Sequence, residues 1–320
     1  DVGLEAWLEG GERTTPPMFP VRYRTAFLVA ECPAGDDPAP TPADTENEDL
    51  VWLAPADAMA RYDAGSIAMP PPVVAVLRAM AADPPGALDG AAGLARAVNR
   101  LEEEAPRIEF VPGIWMLPVH TDTLPPATHT NVYLPWAERF AVIDPGSDRP
   151  DEVRRLLKVI GRLREDTGAT PAGVLLTHHH QDHVSGAEEV ARELGVPVLA
   201  HPEAPIPFRT EALADRIPVD LGGLTLVPVL TPGHAPGHLA FHMPERAALI
   251  SGDLVSGLST MVIPPEPGAM DRYLASLALA ADLPASRLLP SHGPPLPANS
   301  LEKTLEHRLN REGRILEALG

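Results

Sequence analysis

The chain is predicted to adopt an α/β fold, and three observations carry that prediction. Short apolar runs of strand length recur at 173–177, 224–230, 247–250 and 287–290. Stretches with apolar residues at helical spacing alternate with them, the clearest at 151–164. Each apolar run also leads straight into a loop bearing His or Asp, flanked by Gly in the last three, so chemistry-bearing side chains sit at strand ends.

The elements follow in order. Residues 23–31 read as a strand. Residues 33–49 are acidic and rich in Pro, which predicts a mobile loop. A short helix opens at 52–58, and a second is expected over 71–82. The charged, Pro-terminated stretch 101–106 reads as a linker, dividing the chain into an N-terminal region, 1–105, and a larger domain, 106–320. In that domain Val153, Leu156, Leu157, Ile160 and Leu163 give the 151–164 helix a core-facing stripe. The strand at 173–177 is followed by Ser185-Gly186-Ala187-Glu188, read as a capping box. The helix it opens carries Val190 and Leu194 on one face and stops at Gly195. Leu301, Leu305, Leu309, Ile315, Leu316 and Leu319 predict a C-terminal helix, with Gly313 interrupting it at a cost of roughly 1 kcal/mol.

The loop after the strand at 173–177 is the most informative segment. His178-His179-His180-Gln181-Asp182-His183 fits H-x-H-x-D-H, more metal affinity than a structural loop needs. Side chains two apart can converge on one ion while their neighbours reach a second. His179 and Gln181 alternate with these and are expected to point away. Three further segments supply what the loop lacks. They are Thr231-Pro232-Gly233-His234 with the nearby His238, Ser251-Gly252-Asp253, and Ser291-His292-Gly293. His120, His129, His201, His242 and His307 have no motif support and are expected to be non-ligands.

From about Val111 to the C-terminus these motifs, in this order, resemble the metallo-β-lactamase superfamily. The resemblance implies an αββα sandwich of two mixed sheets with helices outside. It implies that His178, His180 and His234 hold one metal, that Asp182, His183 and His292 hold a second, and that Asp253 bridges them. Asp144, in Val142-Ile143-Asp144-Pro145-Gly146, matches the family's early Asp and is expected to orient the metal loop through hydrogen bonds. His238 is read either as a packed residue near the site or as a proton donor to the leaving group. The metals implied are two divalent cations, Zn2+ first, with Fe or Mn also suited to His/Asp ligands.

Within the superfamily, Thr130-Asn131-Val132-Tyr133-Leu134, His292-Gly293-Pro294-Pro295 and the 306–316 segment look like the β-lactamase-like protein 2 group, which includes an endoribonuclease acting on single-stranded RNA. Glyoxalase II-type thioesterases share the metal set. A persulfide dioxygenase, with one iron on His178, His234 and Asp253, is a reading from a different class. The N-terminal stretch 19–82 resembles the back half of a Nudix domain through Arg22-Tyr23-Arg24-Thr25-Ala26-Phe27-Leu28 and Trp52-Leu53-Ala54-Pro55. The catalytic Nudix box is absent, so the resemblance implies a small α+β region without Nudix chemistry.

Composition narrows the partners. The 320 residues carry a net charge of −19, with 25 Lys+Arg against 44 Asp+Glu. Such a surface offers no counterion-release drive for a long polyanion. Two bound cations would still make a pocket locally positive for one small anionic group. The expected substrate is therefore a small molecule with an ester-like bond, attacked by a metal-bridging hydroxide in which Asp182 and Asp253 take part. RNA is disfavoured. No run of about 18 apolar residues suggests a membrane span. The single Cys32 excludes an internal disulfide and, with no secretory signal at the start, fits a reducing cytoplasm. A homodimer is compatible with this reading.

Overall fold

The computed structural model of the chain describes residues 8–14, 17, 19, 22, 24–29, 51–67, 69–82 and 108–319. The chain divides into two compact units, 1–15 with 22–112 and 16–21 with 113–320. The expected acidic loop, 33–49, the expected linker, 101–106, and Cys32 lie outside the described residues.

In the first unit β1 (Leu8–Thr14) pairs antiparallel with β2 (Arg24–Val29), the strand expected at 23–31. Helix α1 (Pro55–Asp63) begins with Pro in its first turn, where a missing N–H costs nothing. Asp57 near its start and Arg61 near its end complement the helix dipole. Helix α2 (Pro71–Ala82) has the bounds expected from sequence, and strand β3 (Ile108–Val111) follows. Met59, Tyr62 and Val74 form a small core between the two helices. Tyr62 Oη donates to the Glu109 carbonyl at 3.0 Å, and Arg78 pairs with Asp63 and Glu109.

The second unit holds two sheets. In one, β4 (Ile114–His120), β5 (His129–Pro135), β6 (Arg139–Ile143), β7 (Thr170–Leu175), β8 (Val198–Ala200) and β9 (Glu211–Ala212) lie in chain order. The first three run antiparallel, and the pairs from β6 to β9 are parallel. In the other, β10 (Val219–Asp220), β11 (Thr225–Leu230), β12 (Leu239–Met243), β13 (Ala248–Gly252), β14 (Arg287–Pro290) and β15 (Leu296–Pro297) also lie in chain order, with β13 and β14 parallel. Strands β12 and β13 are buried at every position, so both faces are covered, as the middle layers of a sandwich require.

Among the described residues this unit has five α-helices: α3 (Pro150–Thr167), α4 (Gln181–Val184), α5 (Ala187–Leu194), α6 (Ala269–Ala281) and α7 (Ser300–Leu319). Helix α3 buries Val153, Leu156, Ile160 and Leu163 of its predicted stripe, leaves Leu157 half-buried, and ends at Gly168 with φ 74°. On the other sheet, Tyr273 and Leu277 of α6 pack with Leu249, Leu254, Leu288 and Leu301.

Two local expectations are corrected. The Ser185 capping box does not form. Residues 181–184 make a helical turn of their own, Ser185 continues in helical backbone, and its hydroxyl donates back to the Gln181 carbonyl at 2.7 Å. Gly186 therefore caps α5 without a side-chain bond, while the stop at Gly195 is as expected. Gly313 does not interrupt the last helix, which runs unbroken from Ser300 to Leu319. Leu301 is buried and Leu305 packs against the core, but Leu309, Ile315 and Leu316 are exposed, so the apolar pattern outruns the surface available to cover it.

Candidate metal centre

The site gathers at the carboxyl ends of strands from both sheets. Asp144 follows β6, His178 follows β7, and His183 lies in α4, just beyond. His234 follows β11, Asp253 follows β13 and His292 follows β14. Because β6 and β7 are parallel, as are β13 and β14, their outgoing loops open at one edge. Two backbone hydrogen bonds join the sheets there. The Leu239 N–H reaches the Thr177 carbonyl at 2.8 Å, and the Asn131 N–H reaches the Ser291 carbonyl at 2.8 Å.

Seven side chains converge in two groups, His178, His180, His234 and Asp253 in one and Asp182, His183 and His292 in the other. In the first, His180 Nδ1 stands 2.9 Å from His178 Nε2 and 3.1 Å from His234 Nε2. In the second, His292 Nε2 is 3.4 Å from Asp182 Oδ2, and His183 Nε2 is 3.9 Å from the same oxygen. Asp253 faces both. Its Oδ2 lies 3.4 Å from His234 Nε2 and 3.7 Å from His183 Nε2, and its Oδ1 lies 3.4 Å from His292 Nε2.

The donor set fits metal ions. Ligands about 2.0–2.1 Å from a tetrahedral ion stand roughly 3.3 Å from one another. Most of the spacings above scatter around that value. Among the described residues, His183 Nε2 and Asp253 Oδ1 are buried and make no hydrogen bond, a cost that coordination removes.

The imidazoles are held from behind. His178 Nδ1 meets the Thr177 hydroxyl at 2.9 Å, His234 Nδ1 the Val262 carbonyl at 2.7 Å, and His292 Nδ1 the His129 carbonyl at 3.0 Å. His183 Nδ1 meets the buried Asp144 carboxylate at 2.8 Å. Asp144, with φ 53°, also accepts the Thr177 N–H and hydroxyl at 2.8 and 2.6 Å, so one carboxylate braces two ligand-bearing turns. Gly146 lets that strand end press on the metal loop, since a Cβ there would fall 1.7 Å from the Asp182 carbonyl.

Electrostatics separate the two groups when no cation is bound. Burial pushes His178 well below the ordinary imidazole range, with neighbouring His183 adding to the effect. Burial, then His234, lowers His180 to about 4. Both are thus neutral, the ligand form. In the second group burial also pulls downward, but the facing carboxylates win. Asp253 and Asp144 hold His183 well above its usual value, and Asp253 with Asp182 lifts His292 to about 10. For Asp253, burial is outweighed by His292 and His183, which keep its carboxyl well below the normal range.

His238, read from sequence either as packed near the site or as a proton donor, packs beside Asp253. It is fully buried, its Nε2 accepts the Asp253 N–H at 3.0 Å, and its Nδ1 meets the Thr231 hydroxyl at 2.8 Å. With both nitrogens engaged by the protein, it positions Asp253 and has no free edge for a leaving group. Gly252, at φ 54°, permits this contact, since a Cβ would come within 2.6 Å of His238 Nε2. His179 and Gln181 stay outside both groups, as expected, and so do His120, His129, His201, His242 and His307. Two residues given no site role from sequence also support the site. Asn131 Nδ2 donates to the Pro290 and Gly293 carbonyls, both at 2.9 Å, and Tyr133 Oη to the Pro290 carbonyl at 2.7 Å. Together they clamp the His292 turn; the Thr130–Leu134 motif was visible, but its partner 157–162 residues away was not.

Comparison with known proteins agrees with this architecture. The family model described as "Metallo-beta-lactamase superfamily" matches residues 125–292, more than half of the chain. The chain belongs to the metallo-beta-lactamase superfamily. It is 29% identical over 203 residues to the Caenorhabditis elegans beta-lactamase-like protein 2 homolog, covering 59% of this chain and 65% of that one. It is 31% identical over 164 residues to the hydroxyacylglutathione hydrolase of Ectopseudomonas mendocina, covering 50% and 61%. A crystal structure of a metallo-beta-lactamase family protein from Thermus thermophilus superposes with a TM-score of 0.55 at 23% identity, over 65% of this chain and 82% of that one. The chain spans less than two thirds of the length of both relatives.

Proposed function

We propose that the chain is a metal-dependent hydrolase that uses two divalent cations to cleave an ester-like bond in a small molecule. The observation carrying this reading is the position of Asp253, whose two oxygens face imidazoles of different groups. His178, His180, His234 and Asp253 would hold one cation, and Asp182, His183, His292 and Asp253 the other. Bound there, such a pair supplies an acidified water and an electrophile for the substrate oxygen. Zn2+ suits the donors best, and Fe or Mn is compatible with them.

The remaining chemistry falls to side chains. Asp253 and Asp182 balance the cationic charge and can accept hydrogen bonds from an attacking water. Asp144, Thr177 and the Val262 and His129 carbonyls fix ring orientation, so the ligands need not reorganise. His238 holds the Asp253 backbone in place. The first unit is read as a Nudix-like remnant without the Nudix box, with an interaction role.

A thioester is the best supported ester-like bond, because a relative carries the name hydroxyacylglutathione hydrolase. The endoribonuclease reading has the resemblance to β-lactamase-like protein 2 behind it. Against it stands the net charge of −19, which opposes grip on a strand. The test is a hydrolysis panel on metal-defined protein, covering thioesters, esters, lactones, phosphodiesters and single-stranded RNA at two ionic strengths. Turnover of small acyl substrates with mild salt dependence is expected. Fast RNA cutting at moderate salt with no small-ester turnover would overturn the proposal, as would oxygen uptake by a one-iron protein.

A further inference from the structure

A cavity of about 330 Å³ lies where the loop after Asp253 meets α7, and none of the metal-site side chains lines it. Its apolar wall includes Val255, Met261 and Tyr273. Its polar wall is hydroxyls, among them Ser259 and Thr260, with the Lys303 ammonium and the His307 imidazole. No carboxylate lines it. That is unusual in a chain with 44 acidic residues, and the flanking Glu302 and Glu306 are exposed outside the lining.

A second observation points the same way. Arg308 is only 7% exposed, yet among the described residues no carboxylate pairs with it. Its guanidinium donates to the Met261 carbonyl and stands 5.5 Å from the Tyr273 ring centroid, and its Nε has no partner. Both contacts are walls of the cavity. Buried charges are normally paired, because leaving one uncompensated is costly. Lys303 and His307, one turn apart on α7, also lack acidic partners among the described residues. Lys303 and His307 thus line a cavity without a carboxylate, and the Arg308 guanidinium lies behind its Met261 and Tyr273 wall.

The cavity wall is tied to the metal-ligand turns by hydrogen bonds. Ser256 and Gly257 bond to the His292 carbonyl, and Met261 precedes Val262, whose carbonyl fixes His234. We propose that this cavity is an oxyanion subsite, taking a carboxylate or phosphate carried by the same small molecule whose ester-like bond is cut at the metals. The location rests on the hydrolase reading; the anion affinity does not.

Two measurements on the full, metal-loaded chain test it, comparing wild type with Lys303→Gln/His307→Gln and with Lys303→Arg. The first is thermal unfolding with succinate or inorganic phosphate added. Wild type and Lys303→Arg should gain stability and the double variant gain less, with the more effective anion identifying the oxyanion class. The second is kcat/KM for N-acetylcysteamine thioesters of succinate and butyrate. Wild type should favour the charged acyl group by about tenfold, the worth of one charge-assisted hydrogen bond, and the double variant should fall to near parity. Equal anion shifts in wild type and the double variant would overturn the subsite, whether or not the chain turns over thioesters. Unequal shifts with no turnover of either thioester would keep the subsite and remove only the thioesterase reading.

Discussion

The two ligand groups meet at Asp253 but are built differently. The first, His178, His180 and His234, is three imidazoles, of which His178 and His234 lean on uncharged oxygens, the Thr177 hydroxyl and the Val262 carbonyl. The second pairs two imidazoles with Asp182, and one of them, His183, leans on the buried Asp144 carboxylate. With no cation bound, burial keeps His178 and His180 of the first group neutral, whereas the second group is a set of ion pairs. Those two imidazoles are therefore ready to donate lone pairs, whereas the second group must exchange protons for a cation. A site can be complete in residues and still fill in two unequal steps.

The largest effect that breaks this pairing should come from Asp253→Ala. It removes the oxygens common to both groups, so turnover should vanish and metal content fall while circular dichroism stays native. Near wild-type rate with full metal content would rule the bridge out. Asp144→Asn should be narrower. It strips charge from directly behind His183, while the Asn oxygen can still accept the Thr177 N–H that braces the His178 turn. A 10–100-fold loss of affinity is expected for the metal on His183, the usual cost of losing such a partner, with a smaller loss for the other. Elemental analysis at limiting metal reads it, and equal loss of both metals would erase the distinction.

A chelator sharpens the comparison from the other side. Metal that binds only folded protein stabilises it by mass action, so removal should lower the melting temperature. Scanning calorimetry during stepwise chelation should show two drops and not one. Smaller still is His238→Gln. If His238 only accepts the Asp253 N–H, a glutamine oxygen can replace it, and activity should fall by about tenfold or less, near the worth of one hydrogen bond. Loss of several orders of magnitude, with metals retained, would restore the proton-donor role. At the bottom of the scale, Leu316→Glu should change stability by no more than about 0.5 kcal/mol, since that side chain is 69% exposed. Denaturant titration checks it.

Much of the site was legible because its ligands are local signals. H-x-H-x-D-H fits a strand-to-helix loop, and each later His or Asp follows a short apolar strand. What holds the ligands was less legible. The Val262 carbonyl behind His234 and the His129 carbonyl behind His292 are backbone atoms that carry no residue signature. The bonds from Asn131 to the His292 turn span 159 and 162 residues and exist only once the two sheets meet. The Ser185 cap failed for a different reason. Its hydroxyl had two helical partners to choose from, and the turn at Gln181 formed next to it. At α7 the apolar spacing marked a helix correctly, but periodicity does not say how far a core extends.

The most direct test of the shared Asp253 is activity as metal is added back to chelated protein, one equivalent at a time, with a small thioester as substrate. If Asp253 joins two working cations, turnover should stay near baseline through the first equivalent and rise through the second. Full activity at one equivalent, with no further rise, would contradict it.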